Sequence, residues 1–306
     1  MSRIPWDQTR SETAAGKPGR DATRPTAGVG NTTAGGGSTT AGPTAGLRRL
    51  AGSAWRVSAL PLALFFLAPV AALFTRISLA GVLENLRRPA TLQAVGISLR
   101  TTLLSLAIIL LLGTPLAYLM GRSRFRGKKL LDTLIDLPTV LPPSVAGLAL
   151  LMTFGRRGPL GGLLDELGVQ LAFTTAAVVL AQVFIAAPFY VRAAAVGFSA
   201  IDPEIIQAAQ LDGAGRWQTL RYVIFPLARF ALLSGAMMSW ARALGEFGAT
   251  MIFAGNFPGR TQTMPTAIYL GFERDLDSAL TLSVILVAAS FLALLAIKVL
   301  IAREGE

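Results

Sequence analysis

The chain of 306 residues contains no cysteine and no histidine. That excludes disulfides, thiolate or imidazole metal sites, cysteine nucleophiles and serine–histidine relays. Charge is sparse as well: 15% of the residues are Asp, Glu, Lys or Arg, against about 25% in an ordinary soluble protein. Leucine is missing from the first 46 residues, which are rich in Thr, Ala and Gly. A stretch with so little apolar surface cannot offset the entropy of ordering, so residues 1–52 are expected to form a disordered cytoplasmic tail.

What is present is apolar. Hydrophobic residues make up 53% of the chain and the mean hydropathy is +0.57, which points to lipid as the solvent. A hydrocarbon core about 30 Å thick needs about 20 helical residues. Runs free of formal charge supply this length at 57–75, 101–121, 137–155, 167–191 and 278–297. A sixth run, 222–240, is interrupted only by Arg229, and its apolar character resumes beyond Arg242 and Glu246 as far as Phe257. These runs predict an all-α, polytopic membrane protein with about six spans, its membrane domain covering residues 53–302. The net charge of +11 reads as basic loops facing anionic lipid, not as a nucleic-acid surface. Basic residues cluster before the first span (Arg48, Arg49, Arg56), after the second (Arg122, Arg124, Arg126, Lys128, Lys129) and after the fourth (Arg192, Arg216, Arg221). By the positive-inside rule both termini and the 201–226 passage lie in the cytoplasm of a plasma (inner) membrane.

That passage, IDPEIIQAAQLDGAGRWQTLRYVIFP, is polar between two apolar runs. Asp202, Pro203 and Glu204 are a helix start: a capping aspartate, a proline whose missing N–H costs nothing, and an acid in the first turn. Gly213 and Gly215 break the helix, and Arg216 to Val223 form a second one leading to Pro226 at the mouth of the fifth span. A DNA-binding helix-turn-helix needs a basic recognition face. Here Asp202, Glu204 and Asp212 offset Arg216 and Arg221, which leaves an ordinary helical loop or a docking element for a cytoplasmic partner.

The segment QAAQLDGAGRWQTLRYVIFP resembles the cytoplasmic loop of binding-protein-dependent ABC importer permeases, whose pattern is Glu-Ala-Ala, three residues, Gly, nine or ten residues, then an apolar residue and Pro. Gln207, Ala208, Ala209, Gly213 and Pro226 occupy that pattern, with Gln207 replacing the acid. The resemblance implies a coupling helix seated in a groove of an ATPase subunit, with Glu204, Gln207, Ala208, Ala209, Asp212, Gly213, Arg216 and Pro226 as its coupling residues. LPTVLPPSVAG at 137–147, GRRGPLG at 155–161 and ARALGEFGATMIFAGNFPGRTQTMPTAIY at 241–269 are similar to the molybdate branch of the oxyanion importers, with sulfate permeases close behind. The similarity covers about residues 95–300 and implies a type I ABC importer permease fold. It further implies a homodimer, two ABC ATPase subunits and an external oxyanion-binding protein, with ATP and Mg on the ATPase and no cofactor bound by this chain.

A dianion crossing lipid needs polar donors or fixed positive charge without a trap too deep to leave. Pro138, Pro142 and Pro143, which remove backbone donors, join Ser144, Arg242, Gly245, Glu246, Thr250 and Asn256 as candidates for the pathway or its gate. Arg242 and Glu246 are four apart, so they can also neutralise each other on one helix face. GRSRFRGKKL at 121–130 imitates a phosphate-binding loop, but its spacing is one residue too long and Lys129 stands where Ser or Thr belongs. ATP hydrolysis must therefore come from another subunit. A secondary transporter would want several intramembrane acids, and only Glu246 is available.

Overall fold

The computed structural model describes residues 43–302, and every regular element among them is helical. The chain divides into two compact units, residues 1–59 and 60–306. Helix α1 (Pro43–Thr75) crosses that division. It begins inside the tail expected at 1–52, because helix formers such as Leu47, Leu50 and Ala51 follow Pro43, a residue tolerated in a first turn. The rest of that expected tail, residues 1–42, lies outside the described residues. The apolar stretch Ser58–Thr75 is long enough to cross a membrane.

In the second unit, α2 (Leu79–Leu86) and α3 (Pro89–Arg122) come first. The segment between the first two charge-free runs, 76–100, is thus largely helical, since Pro89 starts α3 well before the second run begins at Thr101. Next come α4 (Lys128–Val140), α5 (Pro143–Phe154), α6 (Pro159–Glu166) and α7 (Thr175–Ser199). The third span departs from expectation. Instead of one helix over 137–155, α4 and α5 meet at a bend of 115°, because Pro142 and Pro143 cannot continue a hydrogen-bonded ladder. The fourth span begins at Thr175 and not at Leu167, where Gly168 takes a left-handed turn and Thr174 caps the helix by accepting the Ala177 N–H.

Short helices α8 (Pro203–Leu211) and α9 (Arg216–Thr219) lead through a π turn, Leu220–Ile224, into α10 (Phe225–Leu244). Helices α11 (Gly248–Phe253), α12 (Met264–Arg274) and α13 (Leu276–Ala302) complete the chain. Among the described residues five helices are long and apolar enough to span, and the α4–α5 pair makes six if counted as one broken span.

The core is a sandwich of α3, α7 and α10 around Ile109, Ala117, Tyr190, Ala194, Phe198 and Ala228. Small residues let the backbones approach, and polar groups between the helices bond each other as lipid burial requires. Ser105 donates to Gln182 Oε1 (2.9 Å), Gln182 Nε2 donates to Thr101 Oγ1 (3.2 Å), and Thr114 and Tyr190 share a 2.6 Å hydrogen bond.

Candidate functional site

The loop between α7 and α10 is built by local rules. Asp202 accepts the Glu204 N–H at 2.9 Å and caps α8, with Pro203 in the first turn. No residue of α8 is buried. Gln207, Ala208, Asp212 and Arg216 are exposed, Ala209 is half-buried, and Leu211 is 88% exposed. Trp217 and Tyr222, at 68% and 69%, extend the uncovered apolar surface. Helix α8 ends where Gly213 takes φ +87°, a left-handed conformation that reverses the chain while Ala214 N–H bonds back to Ala209 O at 3.0 Å. Its root is fixed to the core: Arg122 donates to Ile201 O at 2.7 Å, and Ile201 packs in the Phe198 cluster.

On the far side of the loop, the second helix expected at Arg216 to Val223 runs on through Pro226 into the fifth span. The chain from Arg216 to Leu244 is one continuous helical stretch. Pro226 has no N–H for the carbonyl one turn back, and the helix absorbs this by widening, with Phe225 N–H reaching back to Leu220 O.

A second cluster gathers around the breaks at α4–α5 and α10–α11. Arg242 and Glu246 form an ion pair of 2.9 Å, as their spacing predicted, but Glu246 lies beyond the end of α10. Its carboxylate is 1% exposed and accepts the Ala249 N–H at 2.8 Å, so one buried acid both neutralises Arg242 and caps α11. Helix α11 then presses on α5. A Cβ at Gly248 would stand 2.5 Å from Pro143 Cβ, and one at Gly147 would stand 2.8 Å from the Ala249 backbone. The structure therefore brings together Pro143, Ser144, Arg242, Glu246 and α11, which carries Thr250. Gly245 is exposed at the break, and Pro142 and Ser144 are exposed at the start of α5. Thr250 Oγ1 is buried without a protein partner. Two candidates fall elsewhere: Pro138 is buried within α4 on the far side of the bend, and Asn256 donates to Thr266 O at 3.2 Å in the α11–α12 connection.

One cluster was missed. Arg192 of α7 bonds both Asp132 and Asp136 of α4. Its only sequence signal was a pair of aspartates four apart in an otherwise apolar stretch, and Arg192 itself read as a marker of sidedness.

Residues 113–303 match the family described as binding-protein-dependent transport system inner membrane component. The chain belongs to this family. This inner membrane component is similar to the molybdenum transport system permease protein ModB of Mycobacterium tuberculosis, 39% identical over 237 residues that cover 76% of this chain and 88% of the relative. It is also similar to the sulfate transport system permease protein CysW of Escherichia coli, 38% identical over 223 residues, 73% of this chain and 75% of that one. Among solved structures, a chain of a bacterial ABC transporter involved in alginate import superposes with a TM-score of 0.67 at 17% identity, covering 85% of this chain and 99% of that chain. The expected fold, that of a type I ABC importer permease, is therefore the observed one. The inner membrane component is a multi-pass transport subunit and not an enzyme; ATP hydrolysis falls to a separate subunit.

Proposed function

We propose that the protein is the permease of an ATP-driven importer for molybdate, translocating an oxyanion delivered by an external binding protein. The observation that carries this reading is the exposed helix α8 with its glycine stop, in a chain that covers most of a molybdenum permease relative. Two copies of the chain enclose the pathway along a twofold axis, and each offers α8 to one of two ATPase subunits, which hold ATP and Mg. This chain binds no cofactor. Both termini and α8 face the cytoplasm. Ala208 and Ala209 let the ATPase groove approach closely, Gly213 shapes the turn, and Glu204, Gln207, Asp212 and Arg216 supply the polar contacts. Glu204 in the first turn of α8 provides the acid that Gln207 lacks. ATP-driven closure of the ATPases draws the two α8 helices together and turns the pathway from inward-facing to outward-facing; hydrolysis resets it.

At the pathway, Arg242 is neutralised by Glu246 and about a third exposed, which offers an anion donors without a deep electrostatic trap. Pro138, Pro142, Pro143, Ser144, Gly245, Thr250 and Asn256 complete the lining or its gate. The similarity to a sulfate permease favours a second reading, a sulfate, tungstate or general oxyanion carrier. Uptake of labelled molybdate into vesicles holding permease, ATPase and binding protein separates the two. ATP-dependent uptake that excess sulfate fails to compete supports the molybdate reading; strong competition moves the assignment to a broader oxyanion system.

A further inference from the structure

The proposed function leaves the cluster of Arg192, Asp132 and Asp136 without a role. Arg192 Nε donates to Asp136 Oδ1 and Nη1 donates to Asp132 Oδ1, each at 2.7 Å. Nη2 bonds Asp136 Oδ2 and, at 3.3 Å, the Asp132 carbonyl. The two aspartates are four apart and so share one face of α4, presented to α7. A planar guanidinium serves both carboxylates at once, two-pronged on Asp136; an ammonium has three donors but not this fixed fork. The three side chains are 42–43% exposed. Where water reaches them, ion pairs this open contribute little to stability, and the value of the cluster is then positional.

Its position is informative. The loop bearing α8 is attached to α7 at one end and, through the π turn, to α10 at the other. Helix α10 leads through Gly245, Glu246 and Phe247 into α11, which forms one side of the α5–α11 contact. The other side, α5, is separated from α4 by the 115° bend. At its opposite end α4 meets α3 through the five residues 123–127, where Gly127 takes a left-handed conformation at φ +88°. Ile135 gives α4 an apolar contact with the α7 core, and the Arg192 cluster adds the directional contact that fixes how α4 sits on α7. We propose that Arg192 is a positioning residue that locks α4 to α7, so that displacement of the coupling loop reaches both sides of the α5–α11 contact together. This rests on the reading of α8 as the ATPase-docking helix.

The test uses full-length permease with its ATPase and binding protein in vesicles, recording labelled molybdate taken up per ATP hydrolysed, copurification of the ATPase and the melting temperature. The variants are Arg192→Lys, the pair Asp132→Asn with Asp136→Asn, and all three changes together. Each is expected to keep the ATPase and its hydrolysis and to melt within a few degrees of the unmodified protein, while uptake per ATP falls about tenfold, the scale of a typical coupling between sites. The triple variant should lose no more than either parent, because one clamp is being broken twice. Unchanged uptake per ATP, or losses that multiply, would overturn the proposal. If Arg192→Lys fails to insert, the aspartate pair alone decides by the same criteria. An Ala208→Arg variant tests the underlying reading separately: it should lose the ATPase, and retention of it would remove α8 from the docking site whatever the clamp variants do.

Discussion

At the scale of single residues, two positions concentrate the consequences of the fold. Gly213 sits at φ +87° with open space around it: beyond its two chain neighbours, no atom lies within 4 Å of where a Cβ would be. Replacement by Leu is therefore penalised through the backbone alone, by about 1–2 kcal/mol for a left-handed conformation. The protein should still fold and insert, while ATP-dependent uptake is lost because the turn after α8 is reshaped. Gly213→Asn, which tolerates that conformation better, should retain more uptake. Normal uptake by the Leu variant would disconnect the turn from coupling. Glu246 is the opposite case, a buried acid with two partners. Glu246→Ala leaves Arg242 without its counter-ion and the Ala249 N–H without an acceptor. Breaking a buried pair costs about 3–5 kcal/mol, and the partial exposure of Arg242 places this site at the low end. A clear fall in melting temperature in detergent is the expected result, with Glu246→Gln milder because its amide oxygen can still accept from Ala249.

At the scale of elements, the start of α13 provides a pH test outside the spans. Asp275 is held below the usual carboxylate range, first by hydrogen bonds from the Ser278 hydroxyl and backbone N–H and then by Arg88, whose Nη1 lies 2.7 Å away. A carboxyl whose pKa is lower when folded contributes stability above its unfolded value of about 3.9, and that contribution is lost as the pH falls through the folded value. Both side chains are nearly half exposed, so the effect is under about 1 kcal/mol. Melting temperature should fall on acidification below about pH 4, and less so in an Asp275→Asn variant. An identical acid response in both proteins would exclude this contact as a source of it.

The elements also show why some of the architecture was readable in advance. Lipid demands long apolar runs, so the spans stood out, and caps are local, so Asp202, Pro203 and Gly213 announced α8. The pairing of Arg242 with Glu246 followed from helical spacing. The break at Pro142 was less legible, because consecutive prolines signal a kink without its size. That the helix runs unbroken through Pro226 was not legible, because a π turn absorbs what normally ends a helix. The Arg192 clamp joins residues 56 and 60 positions apart, and no local pattern announces such a contact.

At the scale of the whole molecule, the absence of cysteine becomes a tool. A Leu211→Cys variant would carry a single thiol at the position of a large hydrophobic residue that is 88% exposed. It should react readily with a membrane-impermeant maleimide from the side bearing the ATPase, and about tenfold more slowly once the ATPase is bound, since reactivity follows access. Equal rates with and without the ATPase would exclude α8 from the interface, and labelling from the opposite face would invert the topology.

The unbroken path from Arg216 to Leu244 has a mechanical meaning. Its 29 residues form a rod about 43 Å long at about 1.5 Å per residue. One end carries the exposed Trp217, and the other stops beside Glu246. A continuous helix of this length can act as a lever arm: a tilt of about 10° about one end moves the other by about 7 Å, by the geometry of that length. On the proposed docking of α8, small tilts at the Arg216 end would be magnified at the distant break where α10 gives way to α11.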